Sequence, residues 1–341
     1  MGHPRRGVPE GAAGVHVAAG LGTDLRERTP GRRSREVGPV TGVSDRAGSG
    51  GESRADLVVP GYGHGLRDVV RSRYLLKLLV QKELRVRYRG SVLGLLWSYV
   101  KPGVQFVVFY VALGVFLGLE QSERNPAGLP NYAIYLFSGI VLINYFNEAL
   151  GNASRAIVSN GGLIKKIYLP RELFPIASTW VSAVHFVPQI IILVVACLFS
   201  GWSPTLLQLA AACAGFIIVT MFAIGLGLLF GAVNVYFRDA ENLVDMLLMV
   251  ATWASPVLYP WLLVRDKLGE SFFLIYQLNP ITVAVETFHF AFWLPTTERA
   301  EAIPPNLLSL WIPVALVTSG LMLIIGQLVF RRLEGRFAQE L

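Results

Sequence analysis

The sequence has few charged residues and almost no cysteine. Asp, Glu, Lys and Arg supply 16% of the 341 residues, well below the roughly 25% of an average soluble domain. Its two cysteines, Cys197 and Cys213, lie in apolar runs and exclude a disulfide-stabilised secreted domain. Hydrophobic residues reach 53% and the mean hydropathy is +0.51, which excludes disorder over most of the chain. These values predict a membrane protein with several crossings.

Short motifs that bind nucleotides or metals, or that carry a nucleophile, are missing from the sequence. It has no G-x-x-x-x-G-K-[ST], no H-E-x-x-H, no Cys/His cluster with zinc spacing and no G-x-S-x-G. We therefore expect no catalytic residue, no metal site and no cofactor in this chain. Any energy source must be an ion gradient or a partner subunit.

Ionisable residues are also rare inside the apolar runs, which disfavours coupling to an ion gradient. His185 is the one candidate near the centre of a run apart from tyrosines and cysteines. A lone histidine there is most simply a packed, hydrogen-bonded residue. Glu148 and Asp245 lie near the ends of runs, where solvation or helix-end contacts explain them.

Residues 1–65 differ sharply from the rest of the chain. They contain 15 Gly, 5 Pro and one aromatic residue, Tyr62, so they cannot bury enough apolar surface to fold. We predict a disordered tail over 1–65, of regulatory use or translated from a start codon placed too far upstream. A membrane domain follows over 66–341.

Residues 71–90 predict an amphipathic helix that lies in the membrane interface. Basic and polar residues recur every four positions, at Arg73, Lys77, Gln81, Arg85 and Arg89. Leucines and valines lie roughly opposite them. This pattern is typical of a helix parallel to the membrane surface.

Six later stretches are long enough to cross the hydrocarbon core, which takes about 20 residues. The predicted spans cover about 102–119, 125–147, 173–199, 205–233, 246–264 and 307–330. The third and fourth come from one uncharged run that the turn signal at 200–204 divides. The predicted fold is therefore an all-α integral membrane protein with six transmembrane helices.

Between the last two spans, residues 271–297 form two apolar pieces too short to cross. Asn279-Pro280 interrupts the first piece, and Glu286 and His289 lie between and within them. Such segments are usually re-entrant or interfacial. We predict an external re-entrant helical hairpin.

The distribution of Lys and Arg sets the orientation. One side of the predicted membrane carries 17 of these residues in its short segments and the other side carries four. Basic residues favour the cytoplasmic side. Both termini are therefore predicted to lie in the cytoplasm.

The segment RVRYRGSVLGLLWSYVKP, from Arg85 to Pro102, is the strongest single motif. Arg85, Arg87 and Arg89 alternate just before an apolar run that Lys101 interrupts. The planar guanidinium suits bidentate contacts with phosphate. Attraction of an anchor to anionic lipid headgroups would explain the same charges.

Four segments of the sequence resemble the permease subunits of ABC type 2 exporters, in the branch that moves polysaccharides. They are the segment above, LIKKIYLPRELFP (163–175), NVYFRDAENLVDMLL (234–248) and YQLNPIT (276–282). The resemblance covers about 270 residues of the chain, in the same order and with the same topology. It implies a homodimer of the permease with two copies of a cytoplasmic ATP-binding subunit, which would hold ATP and Mg²⁺.

The resemblance also implies a coupling segment that docks on the ATPase between spans two and three. It maps to SNGGLIKKIY, and its residues are Ser159, Asn160, Leu163, Ile164, Lys165, Lys166 and Tyr168. An ordinary positive-inside loop would explain the lysines but not an exposed Leu-Ile pair. Arg238 and Asp239 map to a hinge near the ATPase interface, which is compatible with a simple surface ion pair.

The substrates that the resemblance implies are glycans linked through a diphosphate to a polyprenyl lipid. Arg85, Arg87, Arg89 and Lys101 then stand where a diphosphate would be captured from the inner leaflet. A glycan path needs aromatic faces and scattered hydrogen-bonding groups. The candidate aromatics are Phe106, Tyr110, Tyr145, Trp253 and Tyr259, although some of them would equally form an interfacial belt.

Two other functions would explain some of the same sequence features. One is a drug or small-lipid exporter on the same scaffold. The other is a membrane glycosyltransferase that uses polyprenyl-phosphate sugars and needs external carboxylates, for which Glu120 and Glu123 are the candidates. The sequence does not name the sugar, but Arg outnumbers Lys 24 to 6, which is typical of a GC-rich genome and points toward a cell-wall galactan.

Overall fold

The computed structural model of the chain describes residues 65–92, 94–120, 128–167, 169–297 and 303–341. The predicted tail, except for Gly65, lies outside these residues, as do Glu123 and Tyr168. Within the described residues the chain is helical apart from turns and one isolated bridge between Glu120 and Leu129. The all-α membrane fold is confirmed.

The helices are numbered in chain order. They are α1 Leu66–Arg71, α2 Arg73–Arg87, α3 Trp97–Phe109, α4 Tyr132–Ser159, α5 Gly161–Ile164, α6 Leu173–Phe199, α7 Leu206–Tyr236, α8 Ala240–Trp253, α9 Trp261–Leu268, α10 Glu270–Gln277, α11 Pro280–Phe288, α12 Ile312–Leu333 and α13 Phe337–Glu340. Three π-helical segments extend them, Tyr110–Phe116 after α3, His289–Trp293 after α11 and Leu307–Trp311 before α12. In the described part of the chain, five helices are long and apolar enough to cross a membrane, namely α4, α6, α7 and the extended α3 and α12.

Charges inside helices explain why two helices differ in extent from the predicted spans. α3 begins at Trp97 rather than at 102, because Lys101 is exposed on the surface of the helix and does not end it. α4 continues past Glu148 and Arg155 to Ser159, because both side chains have ion-pair partners on other helices. α6 coincides with the predicted third span, and α7 ends three residues beyond the predicted fourth.

The prediction of one continuous helix over 246–264 is wrong. α8 ends at Trp253, a turn follows, and α9 begins at Trp261. Two tyrosines of α4 stabilise the break by donating to its free carbonyls. The Tyr135 hydroxyl donates to Pro256 O at 2.9 Å and to Tyr259 O at 3.0 Å, and Tyr132 donates to Leu258 O at 2.8 Å. A backbone turn within this apolar run is tolerated because its carbonyls are hydrogen-bonded inside the protein.

Two short helices, α10 and α11, occupy the predicted hairpin region. The Asn279 side chain caps α11 by accepting from the Ile281 amide at 3.1 Å, and Pro280 takes the first helical position. Every residue of α11 is buried, including Glu286. Trp293 ties the following π-helical segment to the entrance of α4 by donating to Pro130 O at 2.8 Å.

The core of the bundle forms where α4 packs against α6 and α7 and where α7 packs against α12. Glycine allows the closest approach. A Cβ atom added to Gly225 of α7 would lie 2.7 Å from the backbone nitrogen of Leu323 on α12. Small residues at helix contacts of this kind are typical of membrane bundles.

Candidate functional site: a polar groove and its ion-pair network

One polar stripe runs along the otherwise buried helix α4. From position 144 to position 155, the residues that are not fully buried all carry polar side chains. They are Asn144, Asn147, Glu148, Asn152 and Arg155. Their spacing of three and four residues places them on one face. A stripe of this kind cannot face lipid without a large penalty, so it requires protein or water opposite it.

Three neighbouring helices border the stripe through hydrogen bonds. The Asn144 amide donates to Gln105 Oε1 of α3 at 3.1 Å, and the Asn147 amide donates to Thr252 Oγ1 of α8 at 3.0 Å. Ser182 of α6 lies 3.5 Å from the Asn152 amide. The stripe is therefore partly exposed and bordered by residues of α3, α6 and α8. We call this feature the α4 groove.

At one end of the α4 groove, a chain of hydrogen bonds joins four segments. Arg87 Nη1 lies 2.6 Å from Glu148 Oε1, which lies 2.7 Å from His185 Nδ1. His185 Nε2 lies 2.7 Å from the Tyr88 hydroxyl, which lies 2.7 Å from Ser98 Oγ. The network connects the end of α2 to α3, α4 and α6. As expected, His185 is a buried, hydrogen-bonded residue, whereas Glu148 is an ion-pair partner rather than a solvated end residue.

A second ion-pair cluster lies farther along the same stripe. The guanidinium of Arg155 pairs with Glu241 and with Asp245, at 2.7 Å for the latter. Glu241 and Asp245 are four residues apart on α8, so they share a face. The cluster joins α4 to α8, and Asp245 is both solvated, with its side chain 55% exposed, and paired with Arg155.

The structure separates the four basic candidates for the diphosphate site. Arg87 is paired with Glu148. Arg85, Arg89 and Lys101 are exposed and have no ion-pair partner among the described residues. Arg85 and Arg87 are two positions apart on α2, so they point to different sides of the helix. On the side that faces α6, Glu83 accepts a hydrogen bond from Ser178 at 3.1 Å, and burial raises the pKa of Glu83.

The candidate aromatics fall into two groups. Phe106 and Tyr110 stack at 5.8 Å on the extended α3. Trp253, 56% exposed, meets Phe109 edge-on, and the Tyr259 hydroxyl donates to Trp253 O at 2.6 Å. These aromatic rings lie on α3, on α8 and just after α8, and α3 and α8 are two of the helices that border the α4 groove.

Tyr145 forms the second group and is not on the polar stripe. Its ring is buried against Phe186 and Phe216, and its hydroxyl lies 2.9 Å from Thr220 Oγ1. It belongs to the core of the bundle. Tyr145 is therefore buried in this structure and does not face the α4 groove.

The predicted coupling segment follows α4 directly. Ser159 ends α4, Asn160 accepts from Lys82 Nζ at 2.7 Å, and α5 carries Leu163 and Ile164. Leu163 and Ile164 are partly buried against a core cluster that includes Phe337, so the Leu-Ile pair is not the exposed apolar feature that the sequence predicted. Lys165, Lys166 and Ile167 are exposed instead.

Arg238 and Asp239 are exposed in the turn between α7 and α8, and no ion pair joins them within the described residues. The ion pairs of this region belong to Glu241 and Asp245. Asp245 was expected to be explained by solvation or helix-end contacts, and Glu241 was not predicted to take part. Two sequence features could have indicated this cluster. They are the four-residue spacing of Glu241 and Asp245, and the basic residue Arg155 in the predicted loop between spans two and three. Buried Glu286 and His289, 3.5 Å apart, were noted only as interruptions of the hairpin.

The fold is that of an α-helical membrane protein with several candidate crossings, and the family match is specific. Residues 74–293 match the ABC-2 type transporter family, so the chain belongs to that family. The resemblance found in the sequence is confirmed.

The chain aligns with curated relatives over most of its length. It is 26% identical over 267 residues to an O-antigen export system permease protein RfbA of Klebsiella pneumoniae, covering 78% of this chain and 95% of that protein. It is 29% identical over 241 residues to an O-antigen export system permease protein RfbA of Myxococcus xanthus, covering 70% of this chain and 88% of that protein.

Proposed function

We propose that this chain is the transmembrane subunit of an ATP-driven exporter that moves a polyprenyl-diphosphate-linked polysaccharide from the cytoplasmic to the outer face of the inner membrane. The observation that carries the proposal is the α4 groove. Its amide and hydroxyl groups offer both donors and acceptors, and aromatic rings lie on two of its bordering helices. Sugars are recognised by this combination of hydrogen bonds and apolar faces.

The polar side chains of the α4 groove also favour a polysaccharide substrate over a drug or a small lipid. A site for an apolar drug is lined mainly by hydrophobic side chains, whereas the α4 stripe carries three asparagines. The relatives named for O-antigen export add support for a polysaccharide.

A glycosyltransferase gains no support from the first outer loop. Glu120 accepts a hydrogen bond from the Tyr110 hydroxyl at 2.6 Å, so a structural role explains this carboxylate. Glu123 lies outside the described residues.

The working unit in this proposal is a homodimer with two cytoplasmic ATP-binding subunits. α3 and α8 both carry long exposed apolar faces beside the groove, and a second copy packed there would close the polar stripe off from lipid. ATP and Mg²⁺ would bind to the partner, because this sequence has no P-loop. The exposed Lys165, Lys166 and Ile167, with Arg238 and Asp239, are the proposed docking residues for that partner.

The decisive experiment is conditional depletion of this protein, followed by extraction of polyprenyl-linked lipids and analysis of their sugars. Accumulation of a long lipid-linked polymer inside the cell supports the exporter, and the sugar analysis tests whether the polymer is a galactan. Accumulation of short, unextended lipid-linked sugars would instead indicate a transferase. No accumulation would exclude a lipid-linked glycan and favour export of a drug or small lipid.

A further inference from the structure

Arg87 differs from the two arginines beside it in the same motif. Arg85 and Arg89 are exposed without an ion-pair partner in the described chain, whereas Arg87 is bound to Glu148 at 2.6 Å. The side chain of Arg87 is nevertheless 38% exposed, and among the described residues only its Nη1 atom has a hydrogen-bond partner. A guanidinium has five N–H donors in a planar fork. Most of that fork is therefore free to receive another anion.

Glu148 is held firmly on the other side of the pair. Its Oε1 atom lies 2.7 Å from His185 Nδ1, and the imidazole of His185 is 2% exposed. The Asn152 amide, one turn along α4, lies 3.5 Å from the same oxygen. If Arg87 were to leave, Glu148 would retain two polar neighbours, so its carboxylate would not become an unpaired buried charge.

The hydrogen bonds of this network have one consistent direction. With His185 protonated on Nδ1, the imidazole donates to Glu148 and accepts from the Tyr88 hydroxyl, which in turn accepts from Ser98. The hydroxyl of Tyr88 and both ring nitrogens of His185 then have partners within this network. This network fixes the position of the Glu148 carboxylate beside the fork of Arg87.

A carboxylate and a phosphate are alternative acceptors for one guanidinium, and phosphate carries more charge and more acceptor oxygens. We propose that Glu148 occupies the anion position of Arg87 in the empty permease, and that the diphosphate of a polyprenyl substrate exchanges with it. This inference rests on the proposed function and names Glu148, positioned by His185 and Tyr88, as a specificity-determining residue. An uncharged lipid cannot compete with the carboxylate and leaves the ion pair closed.

The exchange also has a structural consequence at the entrance of the first span. Tyr88 follows Arg87 directly, and its hydroxyl contacts both His185 of α6 and Ser98 of α3. Movement of Arg87 toward a bound phosphate would therefore pull on the junction between α2 and α3. In this way, the charge of the bound substrate would affect the position of α2, the predicted interface helix.

Binding of farnesyl diphosphate to the full chain in lipid nanodiscs tests the proposal, with farnesol and inorganic diphosphate as parallel probes. Glu148→Gln removes the competing charge but keeps the hydrogen-bonding shape. We expect it to bind farnesyl diphosphate about two- to fivefold more tightly than the wild type, the gain expected from releasing one partly exposed ion pair. Arg87→Gln should weaken binding, and Arg87→Gln combined with Glu148→Gln should show no gain over Arg87→Gln alone. Farnesol binding should not respond to any of these changes.

Two further variants separate competition from a general effect on folding or charge. Glu340→Gln removes an exposed carboxylate near the C-terminus and should leave affinity for farnesyl diphosphate unchanged. Tyr88→Phe keeps the ring against His185 but removes the hydroxyl contacts, and it should give a smaller gain than Glu148→Gln. The melting temperature of each variant checks that it is folded.

The outcomes distinguish this inference from the proposed function. If Arg87→Gln weakens binding but a folded Glu148→Gln binds no better than the wild type, diphosphate capture stands and the exchange is wrong. If neither the wild type nor Glu148→Gln binds farnesyl diphosphate, diphosphate capture and the exchange with Glu148 are both wrong. If Glu148→Gln increases the affinity for inorganic diphosphate as much as the affinity for farnesyl diphosphate, the site recognises the phosphate groups alone. The lipid chain then makes no contact there.

Discussion

Arg155 on α4 binds both carboxylate oxygens of Asp245 on α8, at 2.7 and 3.0 Å. Glu241 contacts the same guanidinium. α4 ends four residues after Arg155, where the proposed coupling segment begins. A displacement of that segment would reach α8, which borders the α4 groove, through this ion pair.

Disruption of the Arg155 cluster should reduce transport more than it reduces stability. Arg155 is 38% exposed, and exposed ion pairs contribute about 0–1 kcal/mol to folding. We expect Arg155→Gln to lower the unfolding free energy within that range, but to slow export clearly because the link between α4 and α8 is lost. Polymer export in depleted cells that express each variant measures this effect.

A double-mutant cycle with Asp245→Asn supplies the control for this first prediction. The two substitutions should be non-additive in export, since each removes the same pair. Independent effects that simply add would show that the pair does not act as a unit.

The second prediction concerns the break between α8 and α9. Tyr135→Phe removes the hydroxyl that donates to Pro256 O and Tyr259 O. Buried carbonyls left without a donor destabilise a protein by about 1–3 kcal/mol. We expect a loss in this range, measured as the free energy of unfolding in detergent.

Tyr74→Phe is the matched control, because Tyr74 is 70% exposed and makes no hydrogen bond in the described structure. It should change stability by less than about 0.5 kcal/mol, as is usual for surface substitutions. Equal losses for the two variants would mean that the tyrosine hydroxyl does not support the break.

The different outcomes for α6 and for residues 246–264 show what hydropathy can predict. Span three was predicted with the bounds of α6 because a turn signal follows it and no charge interrupts it. Residues 246–264 also form an uncharged run, yet the helix ends at Trp253. Its break depends on donors from Tyr132 and Tyr135, more than a hundred positions earlier in the chain. Local composition carries no information on such contacts.

The candidate site, like the fold, could be predicted only in part. Arg87 was identified from its motif, and His185 was correctly expected to be buried and hydrogen-bonded. Their connection through Glu148 could not be predicted, because it joins residues 37 and 61 positions apart on three different helices. The polar stripe of α4 is periodic in the sequence too, but it was not predicted, because only the burial of the rest of the helix makes the pattern significant.

The third prediction concerns the contact between α7 and α12. A Cβ atom at Gly225 would lie 2.7 Å from the Leu323 nitrogen, so Gly225→Ala forces the two backbones apart. Overpacking of this kind destabilises by about 1–3 kcal/mol. Gly320→Ala adds the same methyl group where the nearest atom is the end of the Met221 side chain at 3.6 Å.

Thermal unfolding in detergent should therefore show a lower melting temperature for Gly225→Ala and little change for Gly320→Ala. Similar melting temperatures for both variants would contradict the close approach at Gly225.

The final prediction tests whether the α4 groove carries the glycan. Asn144→Leu replaces one amide of the polar stripe by an apolar side chain of similar size, and it removes the bond to Gln105. A stripe that faced lipid or only the bundle interior would tolerate this change, since leucine is favoured in both environments. A groove that hydrogen-bonds sugars would instead lose a contact worth about 1 kcal/mol, or roughly fivefold in rate.

We therefore expect Asn144→Leu to slow polymer export by about fivefold while the amount of folded protein stays near that of the wild type. Ile191→Leu, at an exposed apolar position of α6, serves as the control and should export at the wild-type rate. Export of long lipid-linked polymer in depleted cells reports both results. Normal export by Asn144→Leu, at normal protein levels, would place the glycan outside the α4 groove and require a path along another face of the helices.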